Sequence, residues 1–283
     1  MKIVFFGVGA VCSVMATLLD ELSNKSKQKD INFVFVVRNI KKAQGHFFKN
    51  SNILNKSDFL EIKYFEEIFE DSKKYEKYLQ NSDIFINSST PSFNLPIMNL
   101  ALKYNTNYAD LASDIYKDEI LSTLKFDQQI LENEFKSQNL FALINLGISP
   151  GITNFLIGEK IHSLKNLPYE VKIKKLEINL LEEIQSKKLI FSWSPKVAID
   201  ELAFPPVFYK KNRPKTIEPF SKSKVYKFPY FRNIVDIYPV FQEELISLKQ
   251  SFPQIENLKL FVGGSEIELM KNLYQLNLFS NKY

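Results

Sequence analysis

The chain has 283 residues, 45% hydrophobic, 14% aromatic and 24% charged, with a net charge of +5. This is enough for two modest domains with cores of their own, and it excludes a disordered or low-complexity chain. The surplus charge sits on scattered lysines interrupted by acids, as in Lys73-Lys74-Tyr75-Glu76-Lys77, a pattern of solvated surface rather than of nucleic-acid binding.

Lys2 to Phe6 is a continuous apolar run stopped by Gly7, the signature of a strand buried on both faces. Val11 to Leu22 follows with helical periodicity, placing Val14, Leu18 and Leu22 on one stripe, expected to face the core. A single lysine before this run and no small-x-small site after it read as strand, turn and helix rather than as a signal peptide. No other stretch approaches the ~20 apolar residues of a membrane helix, so a soluble protein without membrane partner is expected. Ile31 to Val37 is a second strand, Ile40 to about Lys49 a polar helix, Leu60 to Phe65 a third strand and Lys73 to Gln80 a helix. Asp83 to Asn87 is a fourth strand, Leu95 to Tyr104 a helix, Asn107 to Leu111 a fifth strand, Asp118 to Ser137 a long helix and Phe141 to Leu146 a sixth strand. Six strands separated by helices predict a Rossmann-type doubly wound parallel sheet in the order 3-2-1-4-5-6 over residues 1–148.

After Gly151 the pattern changes. A helix from about Ile152 to Leu164 precedes alternating runs at Val171–Leu181, Leu189–Trp193, Val207–Tyr209, Val225–Phe228 and Ile234–Tyr238. Helices near Val240–Gln250 and Glu266–Leu276 flank a run at Leu258–Val262. Residues 149–283 therefore read as an α+β substrate and dimerisation domain on a largely antiparallel sheet.

The most informative motif is Gly7-Val8-Gly9-Ala10-Val11-Cys12, lying between a buried strand and an amphipathic helix. Gly7 permits the turn, Gly9 admits a pyrophosphate, and the helix start at Ala10 and Val11 offers free N–H groups to that anion. Cys12 stands in place of the third glycine of the usual fingerprint. At the end of the second strand, where NAD enzymes place an acid for the ribose, the chain has Arg38-Asn39 followed by Lys41-Lys42. A cation without an opposing acid predicts NADP rather than NAD. Ser88-Ser89-Thr90, after the fourth strand, are small enough to let a cofactor pass, although a plain turn explains them equally well. Asp110 ends the fifth strand at the same edge, positioned to meet substrate or nicotinamide, or to cap the following loop.

With the glycine turn and Arg38, the segments INSSTPSFNLPIMNLALKYNTNYADLASD, INLGISPGITNFLIGE and FSWSPKVAIDELAFPPVFY occur in the order found in saccharopine dehydrogenase-like proteins. The chain resembles that family, which includes saccharopine reductases and carboxynorspermidine dehydrogenases, over residues 1 to about 210. The resemblance implies a reductase passing hydride from NADPH to an imine of an amino-acid or polyamine conjugate. It implies that Gly7, Gly9, Arg38, Ser88 and Ser89 hold the cofactor, and that Asp110, Pro150-Gly151 and Ser192-Trp193 border the substrate. Ser149 and Thr153 depart from the acids of the family's GLDPGID segment, and the chain stops soon after Leu278, earlier than most members. Both departures point away from saccharopine itself.

Among the remaining groups, Arg232, in the apolar setting Phe231-Arg232-Asn233-Ile234, is a candidate clamp for a substrate carboxylate, or a partner of Asp236. Glu201 is a candidate for proton transfer alongside Asp110. Trp193, the only tryptophan, would wall the substrate site or serve as a core residue. His46 and His162 read as structural, and two histidines with one cysteine predict no metal site. A single cysteine also excludes an internal disulfide and fits a cytoplasmic protein. The expected partners are a small-molecule substrate and, through the second domain, a second copy. Two other readings remain open: an ordinary NADP-dependent carbonyl reductase, and an NADP-binding sensor or regulator without catalysis.

Overall fold

A computed structural model describes residues 1–26, 30–47, 51–114, 125–186, 198–199 and 202–278. The chain divides after Gly151. Met1–Asp114 with Lys125–Gly151 form one compact unit, and a second begins at Ile152.

In the first unit β1 (Lys2–Phe6), β2 (Asn32–Val37), β3 (Ser57–Glu61), β4 (Ile84–Asn87), β5 (Asn107–Asp110) and β6 (Ala142–Leu143) form a parallel sheet. Its order, β3-β2-β1-β4-β5-β6, is the expected one. Alternation of large apolar side chains explains why these strands are buried on both faces. Phe5, Phe33 and Phe35 belong to one core cluster; Val4, Phe6, Val34, Phe85 and Tyr108 belong to the other. The register sets Phe6 opposite Asn87 and Asn87 opposite Asp110, so three strands stop at one level.

Helix α1 (Ala10–Ser26) packs with its other face inward. Cys12, Ala16, Asp20 and Ser23 are buried, whereas Val14, Leu18 and Leu22 are 57%, 52% and 61% exposed. The periodic stripe was a sound helix signal and a wrong guide to the core. Small residues face the sheet because they let the helix axis approach the strands closely. Asp20 remains on the inner side by pairing with Lys56 Nζ at 3.4 Å.

The connections are shorter than expected. After β2 come α2 (Ile40–Gly45) and α3 (Ser51–Asn55). β3 lies upstream of the expected run, because Ile62 and Phe65 continue the apolar pattern as core-packing coil. Then follow α4 (Glu66–Glu70), a 3₁₀ turn at Ser72–Tyr75 and α5 (Glu76–Leu79), with α6 (Asn94–Lys103) between β4 and β5. The long helix expected to Ser137 is not continuous from Lys125 onward. Phe126 is extended, Asp127–Leu131 form a 3₁₀ turn, and α7 is Glu132–Ser137.

The second unit begins with α8 (Ile152–Lys165) and has a separate sheet of β7 (Lys175–Leu181), β8 (Val207–Lys210), β9 (Arg213–Thr216), β10 (Lys224–Tyr226), β11 (Val235–Pro239) and β12 (Asn257–Gly263). Strand β12 pairs antiparallel with β8 and β11 and parallel with β7. Helices α9 (Glu244–Ser251) and α10 (Ser265–Gln275) flank it. The antiparallel character is as expected; β9 had no sequence signal, being Arg-Pro-Lys-Thr with every residue exposed. No helix among the described residues is long and apolar enough to cross a membrane.

A carboxyl group of this unit is held above the ordinary carboxylate range. Burial, and then the charges of Glu266 and Glu244, push Glu182 up to about 7.

Two predictions follow from this packing. Ala16→Leu should cost about 1–3 kcal/mol by overpacking, whereas Leu18→Ala should stay within about 0.5 kcal/mol. Urea unfolding of both variants tests the inverted helix face, and a larger loss for Leu18→Ala would refute it. For Glu182, the folded pKa lies above that of the unfolded chain, so the folded form holds the proton more tightly. Stability should then fall as pH rises from the ordinary carboxyl range through about 7. Glu182→Gln should gain on the wild type between about pH 5 and pH 8.5; equal differences at both ends would contradict this origin.

Candidate functional site

The turn after β1 is built by close contact with the loop after β4. Gly7 has φ +93°, and a Cβ there would lie 2.9 Å from Ser89 Cβ. The Gly7 N–H donates to Val36 O at 3.0 Å. From the other side, the Ser88 N–H donates to Phe6 O at 3.0 Å and the Ser88 hydroxyl to Gly7 O at 2.7 Å. At Gly9 the opposite holds, since a Cβ would meet nothing within 4 Å. Helix α1 starts at the next residue, Ala10, which is exposed. Its first N–H groups have no intrahelical acceptor, and the helix dipole adds positive potential there. This open space beside Gly9, Ala10 and Val11 suits an anion.

Cys12 is fully buried, and its thiol lies within hydrogen-bonding reach of Ser88. A small side chain thus occupies the third fingerprint position without opening the helix–strand packing. Arg38 is exposed immediately beyond β2. Asn39 caps α2 by accepting the Lys42 N–H at 2.8 Å. An acid that the sequence did not flag stands nearby: Glu61, opposite Val37, accepts the Ile40 N–H through Oε1 at 3.3 Å.

Two asparagines missed in the sequence organise the loop. Asn87 Oδ1 accepts the Ser89 N–H at 3.0 Å and hydroxyl at 2.6 Å. Its Nδ2 donates to Thr90 O at 3.1 Å and to Asn94 Oδ1 at 2.7 Å. Asn94 Oδ1 also accepts the Tyr108 hydroxyl at 3.1 Å, and its Nδ2 donates to Ala112 O at 2.8 Å. The one sequence signal was a polar amide ending a buried strand.

Asp110, expected to meet substrate or cap the next loop, is 1% exposed. Its Oδ1 accepts the Asn145 N–H at 2.7 Å and its Oδ2 the Gln128 amide at 3.2 Å. The carboxylate therefore serves the fold, and the proton-transfer role is withdrawn in favour of the capping one. This also explains the short β6, because the Leu146 N–H turns to Asp110 O at 2.8 Å. Pro150 and Gly151 lie close by in a tight turn. Gly147 and Gly151 form a bridge, and Gly151, at φ +133°, would place a Cβ 2.1 Å from Gly147 O. A Cβ on Gly147 would lie 2.8 Å from Leu111 O, so this turn rests directly on the end of β5.

In the second unit Arg232 is exposed, not enclosed by apolar neighbours, and its carbonyl accepts from Lys227 Nζ. Ser192, Trp193 and Glu201 lie outside the described residues. Thr153 Oγ1 donates to Glu244 Oε1 at 2.8 Å. Among the described residues no group of three or more His, Cys, Asp or Glu side chains is placed to hold a metal ion.

No family model matches the sequence, and no curated protein does. Among solved structures the chain is similar to apo saccharopine dehydrogenase (L-Glu forming) from Saccharomyces cerevisiae, with a TM-score of 0.70 at 17% identity. That match covers 99% of this chain and 59% of the yeast chain, so this chain spans less than two thirds of its neighbour's length. A more distant match is the WlbA dehydrogenase from Thermus thermophilus, solved with NAD and alpha-ketoglutarate. It has a TM-score of 0.46 at 8% identity, over 93% of this chain and 73% of that one. The likeness to the yeast enzyme is one of fold: a Rossmann-type parallel sheet with a separate, largely antiparallel second sheet.

Proposed function

We propose that the first unit binds NADP(H) and that the chain is an oxidoreductase acting on a C–N bond, imine or secondary amine, of an amino-acid or polyamine conjugate. The observation that carries the cofactor reading is the pairing of a closed Gly7–Ser89 contact with open space at Gly9, directly before the free end of α1. Closure at Gly7 fixes the turn, and openness at Gly9 leaves room for a pyrophosphate. The residues present fit the group. Gly9, Ala10 and Val11 would receive the pyrophosphate through backbone N–H groups, and Arg38 the ribose 2′-phosphate. Glu61 keeps its negative charge while accepting the Ile40 N–H, so the preference for the 2′-phosphate rests on Arg38.

When bound, the nicotinamide supplies or accepts the hydride. The chain's part is to orient that ring and keep the edge dry. Ser88, Ser89 and Thr90, fixed by Asn87, would run alongside the nicotinamide ribose, and Pro150 and Gly151 would border the substrate. The likeness in fold to saccharopine dehydrogenase and the resemblance of the quoted segments to that family support the C–N chemistry. A small-molecule substrate, a cytoplasmic setting and a second copy docked through the second unit complete the proposal.

Fluorescence titration with NADPH and NADH tests it. The wild type should prefer NADPH, and Gly9→Asp, which puts a carboxylate into the anion space, should abolish binding of both. Arg38→Asp should weaken NADPH about 10- to 100-fold, the loss of a charge-assisted hydrogen bond of ~1.5–3 kcal/mol, and NADH far less. Equal weakening of both would make Arg38 a stacking residue, and unaltered binding to Gly9→Asp would move the cofactor elsewhere.

A further inference from the structure

Asp110 is bonded to one place twice over. Its side chain accepts the Asn145 N–H at 2.7 Å, and its backbone carbonyl accepts the Leu146 N–H at 2.8 Å. Its second carboxylate oxygen leads back to the same asparagine. Gln128 Nε2, which donates to that oxygen at 3.2 Å, also donates to Ser113 Oγ at 2.9 Å, and Ser113 Oγ donates to Asn145 Oδ1 at 2.8 Å. The result is a closed buried ring through Asp110, Gln128, Ser113 and Asn145. Asn145 has φ +62° and stands two residues before Gly147. The ring therefore fixes how the chain leaves β6 and enters the Gly147–Gly151 turn.

The ring is matched to an ionised Asp110 and leaves a remainder. A carboxylate only accepts, so Gln128 must turn its NH₂ toward it. Among the described residues, Gln128 Oε1 is then buried without a hydrogen-bond partner, as is Asn145 Nδ2. A protonated Asp110 would instead carry an O–H, for which the Gln128 oxygen is the complementary acceptor once the amide turns over. It would also be a weaker acceptor for the Asn145 N–H. Burial pushes the Asp110 carboxyl up to about 6, while hydrogen bonds from Asn145 and Gln128 restrain the rise. Among the described residues, Tyr108 is the titratable group facing it. Its hydroxyl is driven well above the ordinary range by burial and then by the Asp110 charge, so it stays neutral.

We propose that Asp110 is a positioning residue: ionised, it locks the Asn145–Gly151 turn, and protonated, it releases that turn as the Gln128 amide rotates. The lock stands on the ring alone. Its effect on a ligand rests on the reading of this edge as the nicotinamide side of a cofactor site.

Hydrogen exchange of the Asn145 and Leu146 amides in the full chain, corrected for intrinsic pH dependence, reads the lock directly. Protection should drop about tenfold as pH falls through about 6. Asp110→Asn should show no step. Gln128→Leu, which removes one restraint on the carboxyl, should keep the step and move its midpoint upward. A wild type without a step, a step persisting in Asp110→Asn, or an unmoved midpoint in Gln128→Leu would each overturn the proposal.

The ligand arm uses the ratio of NADPH to 2′-phospho-ADP-ribose affinity, in which titration of the shared 2′-phosphate cancels. That ratio should fall with the same midpoint in the wild type and stay flat in Asp110→Asn. A clear exchange step with neither ligand bound would sink the cofactor reading and leave the lock standing. Binding of both ligands without an exchange step would do the reverse.

Discussion

The first unit depends on one close approach, that of the Gly7 backbone to Ser89. A side chain at Gly7 would strike the Ser89 Cβ, so the turn after β1 and the loop after β4 can exist only together. The hydrogen bonds from Ser88 to Phe6 and Gly7 join the two from the other side. Strand β1 thus ends level with β4, and α1 starts from a turn with no freedom to drift. Asn87 extends the constraint sideways through Asn94 to Tyr108 and Ala112, tying the β4 end to that of β5. From there Asp110 carries it to the stub of β6. The candidate site is therefore a row of mutually braced strand ends rather than a set of independent side chains. Pairing the buried amides of Asn87 and Asn94 in that row demands geometric agreement between segments far apart in sequence.

Much of this fold was legible because backbone requirements leave marks on composition. A run such as Lys2-Ile-Val-Phe-Phe followed by glycine has few readings, and β1 matches it residue for residue. Alternating strands and helices announce a doubly wound parallel sheet with right-handed crossovers, of which 3-2-1-4-5-6 is one common order. What misled was orientation. The Val14, Leu18 and Leu22 stripe announces a helix but not which side meets the sheet, and close packing favoured the small side chains of Cys12 and Ala16. β6 shrank because Asp110 captured the amides that would have extended it, which periodicity cannot foresee.

At the site the same division holds. Gly7, Gly9 and the serines were readable since glycine and small polar residues mark tight backbone. Arg38 was placed beyond the end of the second strand, where the structure has it. Asn87, Asn94, Gln128 and Asn145 were not, because an amide in a sequence looks the same whether solvated or buried in a network. Asp110 was found as a residue, but its role depended on partners as distant as Asn145. The two acids with raised carboxyls differ in their surroundings. Hydrogen bonds restrain Asp110, whereas the other carboxylates facing Glu182 push it further in the direction burial already drives it.

Cys12 has a use beyond filling the third position of the glycine turn. It is the chain's single cysteine, fully buried, with its thiol pushed up to about 12 by burial. A thiol in that state is inert toward alkylating reagents, because the thiolate is the reactive species and no reagent reaches it. Labelling must therefore wait until α1 lifts from the strands. The rate of modification becomes a clock for that opening, with no engineered probe and no second thiol to confuse the signal. Since the same helix starts beside the open space at Gly9, a ligand that settled there and held α1 down would slow the clock, and its occupancy would be read from a residue it does not touch.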